Sequence, residues 1–432
     1  MDLIAMIKSK KAKVAVIGLG YVGLPLAVEY AKADFEVFGI DISKDKIATL
    51  KKGKTYIEDI TDQDVAEVLG VGRFHPTCDY KELQKADAVI ICVPTPLRKT
   101  MDPDVSFIVD ASERIAENLK GPMLVVLEST TYPGTCDEVV QPILERGDRK
   151  IDRDFFLAFS PERIDPGNKR FYTKTIPKVI GGVTKKSTEA ALSLYGNVIE
   201  NVIPVSSARV AEMVKLLENT FRSVNIGLVN EIALMCDRMG LDVWEIIGAA
   251  ATKPFGFMPF YPGPGLGGHC LPIDPIYLSW KAKIHGFEAR FIDLAARVNS
   301  VMPKYVMNKT AKILNDHRKC MNGANILILG IAYKRDVSDV RESPAIDIIG
   351  LMKRMGAKIS YHDSFVPQLN EEGDILHSVP LTKETLKRSD CVVIVTDHSS
   401  LDYPFVVEHA SIVFDTRNAL KKFGKRQNIV RL

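Results

Sequence analysis

The sequence feature that most constrains the fold is a glycine-rich turn between a short apolar run and a helical segment. The run Lys13–Ile17 has the length of a buried strand and leads into Gly18-Leu19-Gly20-Tyr21-Val22-Gly23. A helix is expected over 24–33, followed by a second strand that ends at Asp41. A strand, a G-x-G-x-x-G turn, a helix and a strand-end acid together form a βαβ unit of the dinucleotide-binding type. The sequence therefore predicts a doubly wound α/β domain.

The chemistry of this turn also predicts its ligand. Glycines lack a Cβ atom, so a pyrophosphate can approach the backbone N–H groups at the start of the helix. The Asp41 carboxylate would accept hydrogen bonds from the adenosine ribose and repel a 2′-phosphate, which favours NAD over NADP. Lys46 lies close enough in sequence to soften that repulsion. The residues that we assign to the cofactor are Gly18, Gly20, Tyr21, Val22, Gly23, Asp41, Lys46, Thr95 and Thr130.

The two threonines belong to a continuing alternation of strands and helices. Further strands are expected over 86–93, 123–128 and 155–159. In open α/β sheets, ligands bind beyond the carboxyl ends of the strands, where Thr95 and Thr130 fall. Hydroxyl groups at such positions also cap helices, and that alternative stays open. Glu162 and Arg163 follow the last of these strands, either as substrate-handling groups or as a surface ion pair.

A cysteine lies within a dense Gly/Pro segment, Gly263–Pro275. Such a density of glycine and proline indicates an ordered loop whose backbone can pass close to a ligand. Cys270 ends the loop where a helix is expected to begin, and a helix N-terminus favours the thiolate. Asp274 follows four residues later, in reach to move protons or orient a water molecule. We predict that Cys270 is a nucleophile; the alternative is a buried structural cysteine.

A long helical pattern begins near Ser207, and Lys215 and Asn219 lie one turn apart on it. They are candidate acid/base or oxyanion groups, with Arg222 as a further polar residue. The apolar residues at helical spacing are Val210, Met213, Val214, Leu217, Phe221, Val224, Leu228 and Ile232. This apolar surface is more than one flanking domain can cover, so we expect a homodimer built on the helix.

A second α/β unit starts at the apolar run 324–330. It has no G-x-G-x-x-G turn but carries Tyr333, Lys334 and Arg341 after its first strand, which suits a different phosphate-bearing ligand. The expected fold class is therefore α/β, with two Rossmann-like doubly wound domains joined by a long central helix. We place the domains at 1–205, 206–320 and 321–432.

Composition limits the possible functions. A net charge of +3 over 432 residues does not indicate binding to nucleic acid. The seven cysteines are scattered, with no Cys/His ligand spacing, so we expect a reducing compartment and no metal site. There is no signal-peptide pattern and no apolar run of membrane-spanning length. These features predict a cytoplasmic enzyme without a membrane partner.

Six motifs in order resemble the UDP-glucose/GDP-mannose dehydrogenase family, over nearly the whole chain. They are Gly18–Gly23, Ser129-Thr130, Pro161-Glu162, Lys215–Asn219, Gly267-Gly268-His269-Cys270 with Asp274, and Tyr333-Lys334 with Asp339-Val340-Arg341-Glu342-Ser343-Pro344. The segments 159–163 and 253–257 look most like the branch that oxidises UDP-N-acetylglucosamine. UDP-N-acetylmannosamine and UDP-glucose are the alternative substrates.

The resemblance implies a four-electron oxidation of the sugar C6 alcohol to a uronate, as a precursor of surface polysaccharide. It assigns Cys270 to a thiohemiacetal and a thioester, and Lys215 and Asn219 to the oxyanion and proton transfer. Asp274 and Thr130 would handle water, and Glu162 would assist as an acid/base. The residues implied to bind the UDP-sugar are Glu162, Arg163, Lys215, Asn219, Arg222, Gly267, Tyr333, Lys334 and Arg341.

Two other functions fit parts of this pattern. A two-electron hydroxyacid dehydrogenase needs neither the nucleophilic cysteine nor residues 324–432. A non-catalytic nucleotide-sugar sensor does not need the set Cys270, Lys215 and Asp274. Each of these two functions therefore leaves some of the named residues unexplained.

Overall fold

The computed structural model describes residues 2–57, 60–98, 100–163, 174–371 and 374–432. The chain divides into two compact units, each with its own sheet. The N-terminal unit comprises residues 1–218 and 280–287, and the C-terminal unit comprises residues 219–279 and 288–432. The division falls inside one long helix, between Glu218 and Asn219.

The N-terminal unit alternates strands and helices along the chain. Its strands are β1 (Lys13–Ile17), β2 (Glu36–Ile40), β3 (Phe74–Thr77), β4 (Ala88–Ile91), β5 (Met123–Leu127), β6 (Phe155–Phe159), β7 (Lys178–Gly182) and β8 (Val202–Pro204). Its helices are α1 (Leu3–Lys8), α2 (Gly23–Lys32), α3 (Lys44–Lys51), α4 (Asp62–Gly70), α5 (Ser106–Asn118), α6 (Gln141–Leu144) and α7 (Lys185–Tyr195). A 3₁₀ turn covers Tyr80–Lys85, and a π-helical turn, Cys136–Val140, leads into α6.

These strands form one twisted sheet across the described residues, in the order β3-β2-β1-β4-β5-β6-β7-β8. From β3 to β6 all neighbours are parallel, and the order reverses direction between β1 and β4, with Ile17 opposite both Ile40 and Ile91. Helices cover both faces, which explains why the central strands are apolar throughout rather than alternating. The pair β6–β7 is antiparallel, with Phe159 opposite Gly181.

The C-terminal unit contains a second, smaller parallel sheet. Its strands are β9 (Asn325–Leu329), β10 (Lys358–His362), β11 (Gln368–Glu371), β12 (Asp374–His377), β13 (Cys391–Ile394), β14 (Val413–Asp415) and β15 (Ile429–Arg431). The sheet order is β10-β9-β13-β14-β15, and β11 and β12 form a separate hairpin. The remaining helices are α9 (Val243–Ala250), α10 (Cys270–Ile284), α11 (Arg290–Asp316), α12 (Pro344–Arg354), α13 (Lys383–Arg388) and α14 (Tyr403–His409), with a 3₁₀ turn at Lys421–Phe423.

The first turn of this second sheet repeats the geometry of the first. Gly330 follows β9 with φ +78° and donates its N–H to the His362 carbonyl, as Gly18, with φ +91°, donates to Ile40. A Cβ on Gly330 would lie 2.3 Å from the Thr396 carbonyl oxygen, so only glycine fits. The fold class is therefore confirmed as two Rossmann-like sheets with a long helix between them in the chain. The domain limits at 205 and 320 stay a prediction.

That helix, α8 (Ala208–Met239), buries several polar residues and exposes several apolar ones. Its buried polar side chains are Glu212, Lys215, Asn219, Ser223 and Asn230. Its exposed apolar side chains are Val210, Met213, Leu217, Phe221, Leu228, Met235 and Met239. The helix also buries apolar residues such as Leu216 and Val229, and a surface helix of a monomer normally carries polar residues on its remaining face. The single chain therefore leaves a long apolar stripe uncovered.

Most expected elements lie within a residue or two of their predicted limits. The segment 275–316 is helical over most of its length, in α10 and α11, which are separated around Gly286 with its φ of +71°. Among the described residues, no helix combines the length and apolarity needed to cross a membrane.

Candidate active site

The glycine turn lies between β1 and α2, where the sheet order reverses. A Cβ on Gly18 would lie 2.5 Å from the Cys92 carbonyl oxygen, and one on Gly23 would lie 1.9 Å from the Gly18 carbonyl oxygen. A Cβ on Gly20 would meet no atom within 4 Å, so this backbone faces open space. The turn thus packs tightly on two sides and leaves the N-terminus of α2 accessible to a phosphate group.

Asp41 closes this cradle at the end of β2. Its Oδ2 accepts a hydrogen bond from the Leu19 N–H at 2.9 Å, and its Oδ1 accepts one from the Ser43 N–H at 2.9 Å. The Lys46 ammonium lies 3.2 Å from Oδ2, so the lysine is paired with the acid rather than free for a phosphate. The carboxylate is buried and fixed beside the glycine turn. These residues fit the pyrophosphate and ribose of NAD.

The other residues assigned to the cofactor lie at the same edge of the sheet. Thr95 is buried after β4, and Thr130 is partly buried after β5. The Ser129 hydroxyl joins the two loops by donating to the Val93 carbonyl at 2.8 Å. On the glycine turn itself, the Tyr21 side chain is 41% exposed.

Glu162 lies three residues beyond β6, and Lys215 reaches it from α8. The Lys215 ammonium donates to the Glu162 main-chain carbonyl at 2.5 Å, and both residues are buried. Arg163 is held by protein groups: its Nε lies 3.1 Å from a Glu218 carboxylate oxygen, and its Nη1 donates to the Pro177 carbonyl at 2.7 Å. The structure thus brings Glu162 and Lys215 together, and it gives Arg163 partners of its own.

The cysteine loop lies in the C-terminal unit. Cys270 is the first residue of α10, as predicted, and it is exposed, while Asp274 is buried one turn further along. The Asn219 side-chain amide donates to Asp274 Oδ2, and Asn219 is buried as well. The sequence predicted Asn219 and Asp274 separately, and the fold places them in contact. An exposed thiol at a helix N-terminus beside a buried carboxylate is suited to nucleophilic chemistry.

Glycines let this loop pack against the turn after β9. A Cβ on Gly267 or on Gly268 would lie 2.7 Å from the Tyr333 side chain, so neither position has room for one. The Gly268 N–H also donates to the Arg341 carbonyl at 3.0 Å. The loop is therefore held against the segment that carries the predicted nucleotide-binding residues Tyr333, Lys334 and Arg341. The Arg341 guanidinium pairs with Asp339, its Nε lying 3.0 Å from both carboxylate oxygens.

A buried amide pair anchors the start of the loop. Asn230 on α8 accepts the Gly263 N–H on its Oδ1 at 2.9 Å and donates from Nδ2 to Asn299 Oδ1 at 2.8 Å. Asn299, on α11, donates in turn to the Ser223 carbonyl. Sequence reasoning missed this pair, because an isolated asparagine on a helix carries no pattern that distinguishes it from a surface residue.

Family models match the chain in three consecutive parts. They are the NAD binding domain of the UDP-glucose/GDP-mannose dehydrogenase family at residues 12–199, its central domain at 209–301 and its UDP binding domain at 327–422. The chain belongs to the UDP-glucose/GDP-mannose dehydrogenase family. It is thus an NAD-dependent nucleotide-sugar dehydrogenase, as the resemblance implied.

Individual relatives of this dehydrogenase are similar over nearly their full length. A UDP-N-acetyl-D-glucosamine 6-dehydrogenase of Pseudomonas aeruginosa is 36% identical, over 98% of this chain and 96% of the relative. A UDP-N-acetyl-D-mannosamine dehydrogenase of Pyrococcus horikoshii is 34% identical, over 95% of this chain and 96% of the relative. The solved structure of the UDP-D-ManNAc dehydrogenase from Pyrococcus horikoshii superposes with a TM-score of 0.88 at 32% identity, covering 97% of this chain and 98% of that one.

One basic residue of the UDP binding domain is absent from the sequence predictions. Arg417 follows β14, and its Nε donates to the Val395 carbonyl at 2.8 Å. Burial lowers its pKa to about 10, and the nearby positive charge of Arg335 contributes to the shift. A partly buried guanidinium beside a second cation is suited to an anionic group such as a diphosphate. The signal that could have found it is its place just beyond a strand end, where ligands bind in open α/β sheets.

Two further sequence predictions concern Arg222 and metal binding. Arg222 is exposed on α8 rather than buried on the side of Lys215 and Asn219. In the described part of the chain, no group of three or more His, Cys, Asp and Glu side chains is placed to hold a metal ion.

Asp41 generates a prediction about cofactor choice. The unmutated dehydrogenase should prefer NAD to NADP, and Asp41→Ala should reduce the NAD:NADP ratio of kcat/KM by about tenfold or more, because hydrogen bonds to a charged carboxylate are lost. Asp45→Ala removes an exposed carboxylate from the neighbouring helix α3 and is the matched control. Steady-state rates with both cofactors give the ratio. Equal efficiency with NADP in the unmutated enzyme would contradict the role of Asp41.

Proposed function

We propose that this dehydrogenase oxidises the C6 hydroxyl of a UDP-N-acetylhexosamine to the carboxylate, with UDP-N-acetylglucosamine as the preferred sugar. The observation that carries the proposal is the exposed Cys270 thiol at the start of α10, with the buried Asn219–Asp274 pair one turn away. The relatives named for UDP-N-acetylglucosamine and UDP-N-acetylmannosamine support the sugar class. The segments 159–163 and 253–257 favour the glucosamine branch.

The reaction has four chemical steps. The alcohol loses a proton from O6 and a hydride from C6, giving an aldehyde. The Cys270 thiolate adds to the aldehyde carbon, and the oxygen takes up a proton to give a thiohemiacetal. Loss of a second hydride and a proton leaves a thioester, and water then cleaves the C–S bond and returns the thiolate. One alcohol, one water and two NAD yield one carboxylate, two NADH and three protons.

Bound NAD supplies the acceptor for both hydrides. The chain's own groups handle charge and protons. Lys215 and Asn219 stabilise the negative oxygen of the tetrahedral adduct, and Glu162 exchanges protons with O6. Asp274, together with Thr130, orients the water that attacks the thioester.

The nucleotide end of the substrate is assigned to the UDP binding domain. Tyr333, Lys334 and Arg341 lie on the turn after β9, and Arg417 lies after β14. Cationic side chains around one sheet edge neutralise a diphosphate while the C6 carbon is held for reaction. Gly267, which packs on Tyr333, completes the proposed substrate contacts together with Arg163, which also contacts Glu218, and the exposed Arg222.

We also propose that the dehydrogenase is a homodimer that works in the cytoplasm. The support for the dimer is the uncovered apolar stripe of α8, whose Leu217 and Leu228 are 57% and 54% exposed. The seven cysteines are all free thiols, which suits a reducing compartment.

A panel of UDP-sugars tests the reaction and the sugar together. UDP-N-acetylglucosamine should give a higher kcat/KM than UDP-N-acetylmannosamine or UDP-glucose, with two NADH formed per sugar consumed. The measurements are NADH absorbance and quantification of the uronate. Formation of one NADH per sugar would contradict the four-electron reaction. A preference for a different sugar would change only the assignment of the substrate.

Cys270 variants test the covalent steps. Cys270→Ala should lower uronate formation by several orders of magnitude, because the second oxidation needs a nucleophile to form the adduct. Cys270→Ser should accumulate a covalent sugar–enzyme ester, visible by intact-protein mass spectrometry, since an ester hydrolyses more slowly than a thioester. Cys78→Ala, another exposed cysteine, is the control and should behave as the unmutated enzyme. Near-normal turnover by Cys270→Ala would make this cysteine a packing residue.

The dimer is tested on the stripe itself. Leu217→Asp and Leu228→Asp should each shift the molecular mass measured by light scattering from two chains towards one, because a buried charge opposes association. Val71→Asp, at an exposed apolar position just after α4, is the control. An unmutated protein that is monomeric at micromolar concentration would refute the proposal.

A further inference from the structure

A buried charged cluster lies in the N-terminal unit next to Glu162. The Lys178 ammonium is 3.0 Å from Glu128 Oε2 and 3.1 Å from Glu162 Oε2. The side chains of Lys178 and Glu128 are 6% and 0% exposed, and that of Glu162 is 11% exposed. The Tyr195 hydroxyl donates to the other Glu128 oxygen. One buried ammonium thus links a carboxylate of the sheet core to the proposed acid/base residue.

The reversal of strand direction at β7 places the lysine there. In the β6–β7 pair, Ala158 lies opposite Gly182 and Phe159 opposite Gly181. Extrapolated by three residues beyond β6, this antiparallel register would set Glu162 opposite Lys178, and the two side chains lie 3.1 Å apart. A parallel strand would begin at the far edge of the sheet and could not bring its first residue to the carboxyl end of β6.

The charges in the cluster do not balance, because two carboxylates share one ammonium. Burial raises the pKa of Glu128 to about 7; Lys178 opposes this shift and the nearby Glu162 adds to it. Burial alone would lower the pKa of Lys178, but the charges of Glu128 and Glu162 outweigh it and raise the pKa instead. Lys178 therefore stays charged, and the carboxylates of Glu128 and Glu162 share its single positive charge.

The other titratable and charged groups that face the cluster do not change this sharing of the Lys178 charge. Tyr30 on α2, Tyr195 on α7 and Cys92 after β4 have pKa values raised first by burial and further by the Glu128 charge, so they stay neutral. Lys215 contacts the main-chain oxygen of Glu162 from α8. The Arg163 guanidinium is directed to Glu218.

We propose that Lys178 and Glu128 are positioning residues that set the charge and orientation of Glu162 during turnover. Lys178 holds one oxygen of the Glu162 carboxylate, and Glu128, tied to Tyr195, holds Lys178. This inference rests on the proposed function only in taking Glu162 as the group that exchanges protons with the substrate. It assigns a role to two residues outside the substrate and cofactor contacts.

The test is the pH profile of kcat/KM, whose acid limb reports the ionisation of the free enzyme's base. Lys178→Met should move the acid limb to higher pH by about one unit or more, because Glu162 loses its positive partner. Lys178→Arg keeps the positive charge, so its acid limb should lie where it does in the unmutated enzyme. Glu128→Gln should move it to lower pH, since the ammonium then serves Glu162 alone.

Glu212→Gln is the matched control. Glu212 is a buried carboxylate of the same unit whose pKa burial also raises to about 7, and it accepts hydrogen bonds from the Gly134 and Cys136 N–H groups. Its variant should leave the acid limb in place. Circular dichroism checks the fold of each variant, and if Lys178→Met does not fold, Glu128→Gln decides the outcome.

Opposite shifts in the two variants support the inference, and an unmoved acid limb in a folded variant of the cluster overturns it. Failure of the proposed function is distinguishable, because it would appear in the unmutated enzyme as an absence of NADH formation with every UDP-sugar of the panel.

Discussion

The parallel register of the N-terminal sheet is the constraint on which the site depends. Parallel strands bring all their carboxyl ends to one edge, and the order reversal between β1 and β4 opens a crevice at that edge. Gly18, Asp41, Thr95, Thr130 and Glu162 each follow the end of a different strand. Residues far apart in sequence therefore line one edge. The tight packing at Gly18 and Gly23 fixes the helix end that we assign to the pyrophosphate.

The C-terminal unit has a similar turn after its first strand, but it matches the UDP binding domain of the family. Gly330 and Asp363 reproduce the positions of Gly18 and Asp41, and Asp363 Oδ2 accepts the N–H groups of Ile331 and Ala332. Two backbone donors of that turn are thus bonded inside the protein, as the Leu19 N–H is to Asp41 in the first unit. The unit instead presents cationic side chains around the edge. Two sheets of one fold class can therefore bind different ligands, because the residues at their strand ends differ.

Helix α8 carries both polar residues that we propose for the chemistry and apolar residues that we propose for assembly. Its buried polar groups include Lys215 and Asn219, each with a specific partner, since an unpaired buried charge or amide would cost several kcal/mol. Its exposed apolar residues have no such constraint within the single chain. The hydrophobic driving force that normally pulls an apolar stripe inward is therefore left available for association.

The sequence by itself determined the βαβ start, the second sheet, the long helix, and Cys270 at a helix N-terminus. These depend on local patterns such as glycines in a turn, apolar runs and residue spacing, which the folded chain keeps. Only the tertiary structure decided which side of α8 is buried, because amphipathic spacing gives the same pattern whether a stripe meets a core or a partner. It also decided the contacts of Asn230 with Gly263 and of Lys178 with Glu162. Those depend on strand direction and long-range register, which bring together residues that no local pattern connects.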